Sequence, residues 1–270
     1  MTAQLYNDHF QNYKRYNLPK AQLVMADIPY NLSTSAYASN PSWYIGGDNN
    51  NGESELAGTE FFDTDKDFRP AEFMHFCSKM LIKEPKEAGK APCMIVFCEF
   101  EQQFKLIELA REHGIMNYIN LVFRKNFSAQ VLKANMRIVG NAEYGLVLYR
   151  DKLPKFNNHG KMVFNVFDVE RDNTSTKIHP TQKSIHLLRQ LISIFTDEGD
   201  VVIDPVAGSG STLVAAMQMN RKAYGFEIKK NFYNAALEFI KNSTSQSDVF
   251  YAENKGTAHA QRQQQVRLCD

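Results

Sequence analysis

Short apolar runs alternate along this chain with longer stretches in which apolar residues recur every three or four positions. The short runs predict strands, and the continuous ones at 93–98 and 201–203 predict strands that are buried in a parallel sheet. The short runs cover residues 23–26, 93–98, 116–123, 201–203 and 223–226. The stretches with helical spacing lie at 70–81, 104–111, 185–195, 213–217 and 232–240. This alternation predicts an α/β fold with a doubly wound, mostly parallel sheet.

Length and composition restrict the class of protein. A chain of 270 residues, of which 43% are hydrophobic, can bury the core of one large domain or of two small ones. No run of eighteen apolar residues is present, and the first residues lack the features of a signal peptide. We therefore expect a cytoplasmic protein with no membrane segment. The four cysteines form no C-x-x-C pair, so we expect reduced thiols and no bound metal.

One apolar run ends in an acid and continues into a glycine-rich turn. Strand residues 201–203 are followed by Asp204-Pro205 and then by Gly208 and Gly210. Glycine has no Cβ atom, so both glycines would let a ligand approach the backbone closely. About twenty residues later a second short strand ends in Glu227, where nucleoside-binding α/β folds place an acid for the ribose hydroxyls. Loop and acid together predict a nucleoside cofactor.

Two common phosphate-binding sites do not fit this loop. A P-loop needs a lysine beside its final Ser or Thr, and residues 207–212 contain none. A dinucleotide site needs a third glycine, and the three residues after Gly210 include none. The acid at Asp204 also disfavours a diphosphate. An adenosine ligand that bears an amino acid tolerates this acid, which points to S-adenosylmethionine.

A second strand end carries a different set of chemical groups. The apolar run 23–26 leads directly into Asp27-Ile28-Pro29-Tyr30, and ligands of open α/β sheets bind at the carboxyl ends of strands. The Asp27 carboxylate and the Ile28 carbonyl can accept hydrogen bonds from an exocyclic amine, and the Tyr30 ring can stack on a base. The alternative is that these four residues form an ordinary strand-to-loop turn. The glycine loop at 204–212 in the same chain favours the functional interpretation.

Four segments resemble the motifs of amino-methylating DNA methyltransferases. Residues 204–212 are similar to the cofactor loop D-P-F-x-G-S-G-T-T, and residues 27–30 to the catalytic D-P-P-Y. Residues 177–183 resemble K-x-H-P-T-Q-K, which binds the methionine part of the cofactor, and residues 6–8 resemble an N-G-D segment. The order of the segments resembles the β-type enzymes. It implies a permuted Rossmann-like fold with a seven-stranded sheet and a target-recognition insert.

The resemblance implies direct methyl transfer from S-adenosylmethionine to the amine of adenine in double-stranded DNA, after base flipping and without a metal. Adenine is the expected target base because the chain has Asp27 where related enzymes that methylate cytosine commonly carry Ser. The implied catalytic residues are Asp27, Ile28, Pro29 and Tyr30. The implied cofactor-binding residues are Asp8, Asp27, His179, Pro180, Thr181, Lys183, Asp204, Pro205, Ala207, Gly208, Ser209, Gly210, Thr212 and Glu227.

Positive charge is concentrated in residues 124–161, although the net charge of the whole chain is +1. Eight lysines and arginines stand against two acids there, a net charge of +6, and amide side chains are interleaved with them. Such residues read base edges and bind phosphates. The segment from Lys125 to Glu143 also resembles the W-x-K-N…R…N-x-E block of these enzymes. We expect Lys125, Lys133 and Arg137 to contact DNA; a solvated basic face is the alternative.

These features divide the chain into four ranges. They are a catalytic half at 1–123 with a long loop at 33–69, a basic target-recognition region at 124–176, a cofactor-binding half at 177–242 and a polar tail at 243–270. Three alternative functions stay open: cytosine-N4 methylation, nucleic-acid binding without catalysis, and methylation of RNA or protein glutamine. Enzymes of the last kind generally carry Asn in place of Asp27. The sequence also leaves a homodimer open.

Overall fold

The computed structural model describes residues 3–29, 68–126, 130–133, 138–170 and 182–243. In these ranges the strands are β1 (Ala3–Tyr6), β2 (Leu23–Asp27), β3 (Cys93–Cys98), β4 (Asn117–Lys125), β5 (Gln130–Lys133), β6 (Ile138–Gly140), β7 (Ala142–Tyr149), β8 (Val166–Val169), β9 (Val201–Asp204) and β10 (Lys222–Phe226). The helices are α1 (Pro70–Met80), α2 (Gln102–Glu112), α3 (Ile185–Phe195), α4 (Ser211–Gln218) and α5 (230–243), and a 3-10 helix spans Phe10–Arg15.

Eight of the described strands form one open sheet in the order β1-β10-β9-β2-β3-β7-β4-β8. Neighbouring strands are parallel except where β7 pairs with β3 and β4. Strands β5 and β6 form a separate antiparallel pair. Because β7 runs against the others, its first residues lie at the same edge of the sheet as the carboxyl ends of its neighbours. That edge therefore collects residues from distant parts of the chain.

Helices cover both faces of this sheet. Along β2, Leu23 and Met25 belong to one apolar cluster, and Val24 and Ala26 belong to another. Successive side chains of a strand point to opposite faces, so the two clusters mark the two faces. Helices α3, α4 and α5 pack into the first cluster, and α1, α2 and the 3-10 helix pack into the second. The predicted α/β class with an open, mostly parallel sheet is confirmed. No helix in the described ranges combines the length and the hydropathy that a membrane span requires.

The prediction of seven strands is wrong, because the sheet has eight. Its two edge strands, β1 and β8, have four residues each. In β8 only Phe167 is buried, and its neighbours on either side are exposed. Short edge strands need one covered face at most, so they contain no continuous apolar run that would identify them in the sequence.

The range predicted as a basic insert, 124–176, contributes two strands to the main sheet. Strand β7 lies in its interior between β3 and β4. A Cβ atom at Gly145 of β7 would lie 3.0 Å from the Phe123 ring and 3.2 Å from the Val96 carbonyl oxygen. The close fit shows that β7 is part of the core. Only a portion of 124–176 can therefore be an addition to the sheet.

The cysteines of the described residues support the expectation of reduced thiols. Cys77, Cys93 and Cys98 are buried and unpaired with one another. Burial raises the pKa of Cys98 to about 12, and the carboxylates of Glu99 and Asp27 act in the same direction. A thiol that does not ionise near neutral pH reacts slowly, so these cysteines contribute to packing.

Candidate active site

Asp27 and Asp204 end two neighbouring strands of the sheet. Strand β2 pairs in parallel with β9, with Val24 opposite Ile203, so both acids stand at the carboxyl edge. A cleft opens between them. It is lined by Asp27, Gln182, Lys183, Leu188, Asp204, Val206, Ala207, Gly208, Ser209, Ser211 and Thr212. The structure thus brings Asp27, the glycine loop and Lys183 to one site, where ligands of open α/β sheets bind.

The two glycines of the loop have different roles. Both have a positive φ, +50° at Gly208 and +76° at Gly210, which disfavours any other residue. A Cβ atom at Gly208 would meet no atom within 4 Å, so the cleft is open on this side. A Cβ atom at Gly210 would lie 3.3 Å from both Ala236 Cβ and Ile240 Cδ1 of α5. Gly208 fits the expected close approach of a ligand, whereas the space beside Gly210 is filled by a helix, which corrects the expected reason for glycine there.

Glu227 follows β10 and is joined to the glycine loop. Its carboxylate accepts hydrogen bonds from the backbone N–H groups of Gly208, at 3.0 Å, and Lys229, at 2.8 Å. Burial raises the pKa of Glu227, and the backbone hydrogen bonds act against this effect. At Gly225 a Cβ atom would lie 2.9 Å from Leu213 Cδ1, so the strand and the loop pack in direct contact. Glu227 therefore lies beside Gly208, which lines the cleft.

Asp204 is the most deeply buried acid of the cleft, with 2% of its surface exposed. Its Oδ1 accepts a hydrogen bond of 3.0 Å from the Val206 N–H. Burial raises the pKa of Asp204 to about 7, although hydrogen bonds from Thr212 and Val206 favour the ionised form. Keeping a carboxylate ionised in such surroundings is unfavourable unless a positive charge is near. A cationic ligand in the cleft would therefore stabilise the ionised form of Asp204.

The backbone of the tetrapeptide is held from two sides. The Ile28 N–H donates to the Phe97 carbonyl of β3 at 3.3 Å, and the Ile28 side chain is buried. Gln102 at the start of α2 donates from Nε2 to the Pro29 carbonyl, and its Oε1 accepts from the Glu99 N–H, both at 2.9 Å. No local pattern of the sequence indicates Gln102, because its contact with Pro29 spans 73 positions. Tyr30, the last catalytic candidate, lies outside the described residues.

Lys183 joins the tetrapeptide to β7. Its Nζ lies 3.0 Å from Asp27 Oδ1 and donates to Glu143 Oε2 at 3.1 Å, while Lys125 Nζ donates to the other oxygen of Glu143. Burial raises the pKa of Glu143, but the two lysines outweigh it and lower the value to about 2. Lys125, expected to contact DNA, is thus a mostly buried partner of Glu143. The sequence alone assigned no role to Glu143, although Glu143 ends the segment from Lys125 that resembles the W-x-K-N…R…N-x-E block.

Asp8 is not among the residues that line the cleft. Its Oδ1 accepts from the His9 N–H at 2.8 Å and from Asn12 at 2.6 Å, and its Oδ2 accepts from the Tyr16 hydroxyl at 2.8 Å. Arg15 lies 3.6 Å from Oδ2. The hydrogen bond from Asn12 is the main reason that the pKa of Asp8 is lowered. These donors make Asp8 a stabilising residue of the 3-10 helix, and its contact with adenine stays a prediction.

Five of the eight cations between 124 and 161 bind partners within the chain. Arg124 pairs with Asp168, Lys125 with Glu143, Arg150 with the carbonyls of Ser78 and Ile82, Lys152 with the Lys86 carbonyl, and Lys155 with Asp197 and Asp200. Three of these acids lie beyond the segment, so the count of +6 overstates its free charge. The side chains of Lys133 and Arg137 and residues 179–181 lie outside the described parts, and their roles stay predictions. In the described ranges no group of His, Cys, Asp and Glu is placed to hold a metal ion.

Known proteins support a methyltransferase site. A family of DNA methylases matches residues 21–238, and the chain belongs to this N6/N4 DNA methylase family. The type II methyltransferase M2.DpnII of Streptococcus pneumoniae is 25% identical over 245 residues, which cover 86% of this chain and 87% of that protein. The type II methyltransferase M.HindIII of Haemophilus influenzae is 34% identical over 91 residues, which cover 34% of this chain and 29% of that protein.

Two solved structures share the fold. M1.HpyAVI in complex with S-adenosylmethionine superposes with a TM-score of 0.61 at 18% identity, covering 88% of this chain and 99% of that chain. The PvuII DNA methyltransferase, described as cytosine-N4-specific, gives a TM-score of 0.62 at 14% identity, covering 92% of each chain. At such identities the likeness shows the α/β methyltransferase fold and leaves the target base undetermined.

Proposed function

We propose that the protein transfers a methyl group from S-adenosylmethionine to the N6 amine of adenine in double-stranded DNA. The observation that carries this proposal is the cleft that Asp27 and Asp204 share. It joins an acceptor for an amine to a loop suited to a nucleoside cofactor. The tetrapeptide precedes the cofactor loop in the sequence, which supports the β-type, permuted arrangement within the family.

The residues of the cleft fit S-adenosylmethionine, which supplies an electrophilic methyl group on a positively charged sulfur. Gly208 leaves open space where a side chain would obstruct a ligand, and the Glu227 carboxylate beside it suits the ribose hydroxyls. The positive charge of the ligand would also stabilise the ionised Asp204 carboxylate. Loop residues 204–212 contain no lysine or arginine that would neutralise a phosphate. By resemblance, His179, Pro180 and Thr181 contact the methionine part.

Asp27 and Ile28 act on the amine. An aromatic amine is a weak nucleophile, because its lone pair is delocalised into the ring. Hydrogen bonds from the two amine hydrogens to the Asp27 carboxylate and the Ile28 carbonyl favour a tetrahedral nitrogen, which directs the lone pair toward the methyl group. Hydrogen bonds at Ile28 and Pro29 fix the backbone that carries both acceptors, so little reorientation is needed.

The amine must leave the duplex before it reaches this site. Flipping a base costs a few kcal/mol, which stacking on an aromatic ring partly offsets. We propose Tyr30 for this stacking, because it follows directly after the acceptors. Phosphate contacts from Lys133 and Arg137 would hold the flanking duplex. Both roles rest on sequence position and on the resemblance.

Cytosine-N4 methylation is the second candidate. The structural neighbour PvuII is described as cytosine-N4-specific, and the family includes both activities. We prefer adenine because related enzymes that methylate the cytosine amine commonly carry Ser at the position of Asp27. The carboxylate also accepts a charge-assisted hydrogen bond from an amine, which is stronger than the bond to a serine hydroxyl.

Substitution of the acceptor tests the proposal. Asp27→Ala should lower methyl incorporation into mixed-sequence duplex DNA by about a hundredfold or more, because one of two oriented acceptors is lost. Calorimetry should show that the variant still binds S-adenosylmethionine. Asp151→Ala, at an exposed acid outside the cleft, is the matched control and should retain full activity. Undiminished turnover by the Asp27 variant would contradict the assignment.

A further inference from the structure

Four side chains of alternating charge form a row from the catalytic acid into the sheet. Asp27 Oδ1 lies 3.0 Å from Lys183 Nζ, Lys183 Nζ lies 3.1 Å from Glu143 Oε2, and Lys125 Nζ binds Glu143 Oε1. The exposed fraction of the side chain falls from 27% at Asp27 to 10% at Lys183. We call Asp27, Lys183, Glu143 and Lys125 the charge row. Charges this close and this shielded interact more strongly than surface pairs.

Sheet topology explains why the row forms at the cleft. Strand β7 is antiparallel to its neighbours, and Glu143 near its start lies opposite Phe123 of β4. Lys183 lies two residues before the start of α3, and its Nζ lies 5.2 Å from the centre of the Phe97 ring. The apolar ring below the ammonium group limits its access to water. The ammonium group is thereby directed toward the two carboxylates.

We infer that Lys183 and Glu143 are positioning residues that set the orientation and the charge state of the Asp27 carboxylate. Lys183 holds one oxygen of Asp27, which orients the carboxylate for the incoming amine. Glu143 shares the same ammonium group, so Lys183 does not bind Asp27 alone and compete fully with the amine. This inference rests on the proposed function and adds two residues to its machinery.

Other ionisable groups also face Asp27 in the described residues. Asp204 on β9 is coupled to it through their like charges, and Cys98 on β3 interacts with both Asp27 and Lys183. Glu99, which follows β3, faces Glu143 and Lys183. The nearby carboxylates make the ionisation of Asp27 less favourable. Lys183 opposes this effect, because an adjacent cation favours the ionised carboxylate.

Two substitutions should therefore shift the pH dependence of kcat/KM in opposite directions. Lys183→Met removes the cation, so Asp27 ionises less readily and the acidic limb moves to higher pH by about one unit or more. Glu143→Gln leaves Lys183 with Asp27 as its carboxylate partner, so Asp27 ionises more readily and the limb moves to lower pH. At neutral pH the Glu143 variant should lose kcat, because the ammonium group competes with the amine.

The experiment measures methyl incorporation into duplex DNA from about pH 3.5 to about pH 9, a range that begins near the ordinary pKa of an aspartate, for the wild type and both variants. Lys183→Arg keeps the positive charge and should keep the wild-type limb. Saturating S-adenosylmethionine, with affinities checked by calorimetry, separates a loss of cofactor binding from a change at Asp27. Thermal unfolding shows whether each variant is folded; if one is not, the shift in the other decides.

The outcomes separate the inference from the proposed function. Opposite shifts in the two variants support the inference, since a general loss of stability would move both profiles in the same way. Acidic limbs that coincide with that of an active wild type would overturn it and leave the proposed function intact. A wild type that transfers no methyl group to DNA would overturn both.

Discussion

Replacing Asp204 by Asn should stabilise the protein at neutral pH. Asp204 has 2% of its surface exposed, and its pKa is raised from 3.8 to about 7, chiefly by burial. In the unfolded chain the carboxyl group ionises near its ordinary value, so the folded state binds a proton more tightly. Stability is therefore lost as the pH rises from about 4 to about 7. Asparagine has nearly the same shape and carries no charge.

The size of the effect follows from the shift. About three pKa units, at about 1.4 kcal/mol each, correspond to up to about 4 kcal/mol at pH 8. The amide oxygen of Asn can still accept the hydrogen bond from the Val206 N–H, so this contact is retained. The gain should fall to near zero below about pH 4, where Asp204 is protonated in both states. The variant should also bind S-adenosylmethionine more weakly, because the anionic partner is gone.

Urea unfolding of the wild type and of Asp204→Asn, followed from about pH 3 to about pH 8 so that the range spans the pKa values of the unfolded and the folded state, measures this difference directly. Asp151→Asn, at an exposed acid, is the control and should show the wild-type pH dependence. The reasoning would be refuted if Asp204→Asn were no more stable than the wild type at pH 8. It would also be refuted if the difference in free energy of unfolding did not grow between pH 4 and 7.

Two further predictions concern the loop and the basic segment. Gly208→Val should weaken cofactor binding in calorimetry, because its side chain enters the open side of the cleft, whereas Gly210→Val should first lower the urea midpoint, because its side chain meets α5. Equal effects of the two on stability and on affinity would contradict the distinction. Replacing Lys133 and Arg137 by Ala should flatten the dependence of DNA affinity on salt, whereas Lys90→Ala at an exposed turn should not. An unchanged slope would show that the two residues do not face DNA.

Local patterns predicted the parts of the site that lie within one strand and its following loop. The run from 201 to 212 showed a strand, an acid and a glycine turn in consecutive positions, and residues 23–30 did the same for the tetrapeptide. The carboxyl ends of parallel strands meet at one edge, so the joint cleft also followed from the pattern. Gly210 differs, because the atoms beside it belong to α5, which comes later in the chain.

The remaining parts depend on contacts that no local pattern encodes. Glu143 meets Lys183 across 40 positions and Gln102 meets Pro29 across 73 positions. Glu143 reaches the cleft because β7 is antiparallel, and hydrophobicity does not reveal the direction of a strand. The free charge of the basic segment was overestimated for the same reason, since Asp168 pairs with Arg124 from a later strand.

The most direct test of methyl transfer at the Asp27 site is the identity of the product. The protein is incubated with S-adenosylmethionine labelled in its methyl group and with mixed-sequence duplex DNA, and the DNA is digested to nucleosides and separated. We predict that the label is recovered as N6-methyladenine, and that Asp27→Ala abolishes it. Label found in N4-methylcytosine alone would contradict the proposed base, and a wild-type reaction with no labelled nucleoside would contradict the proposed function itself.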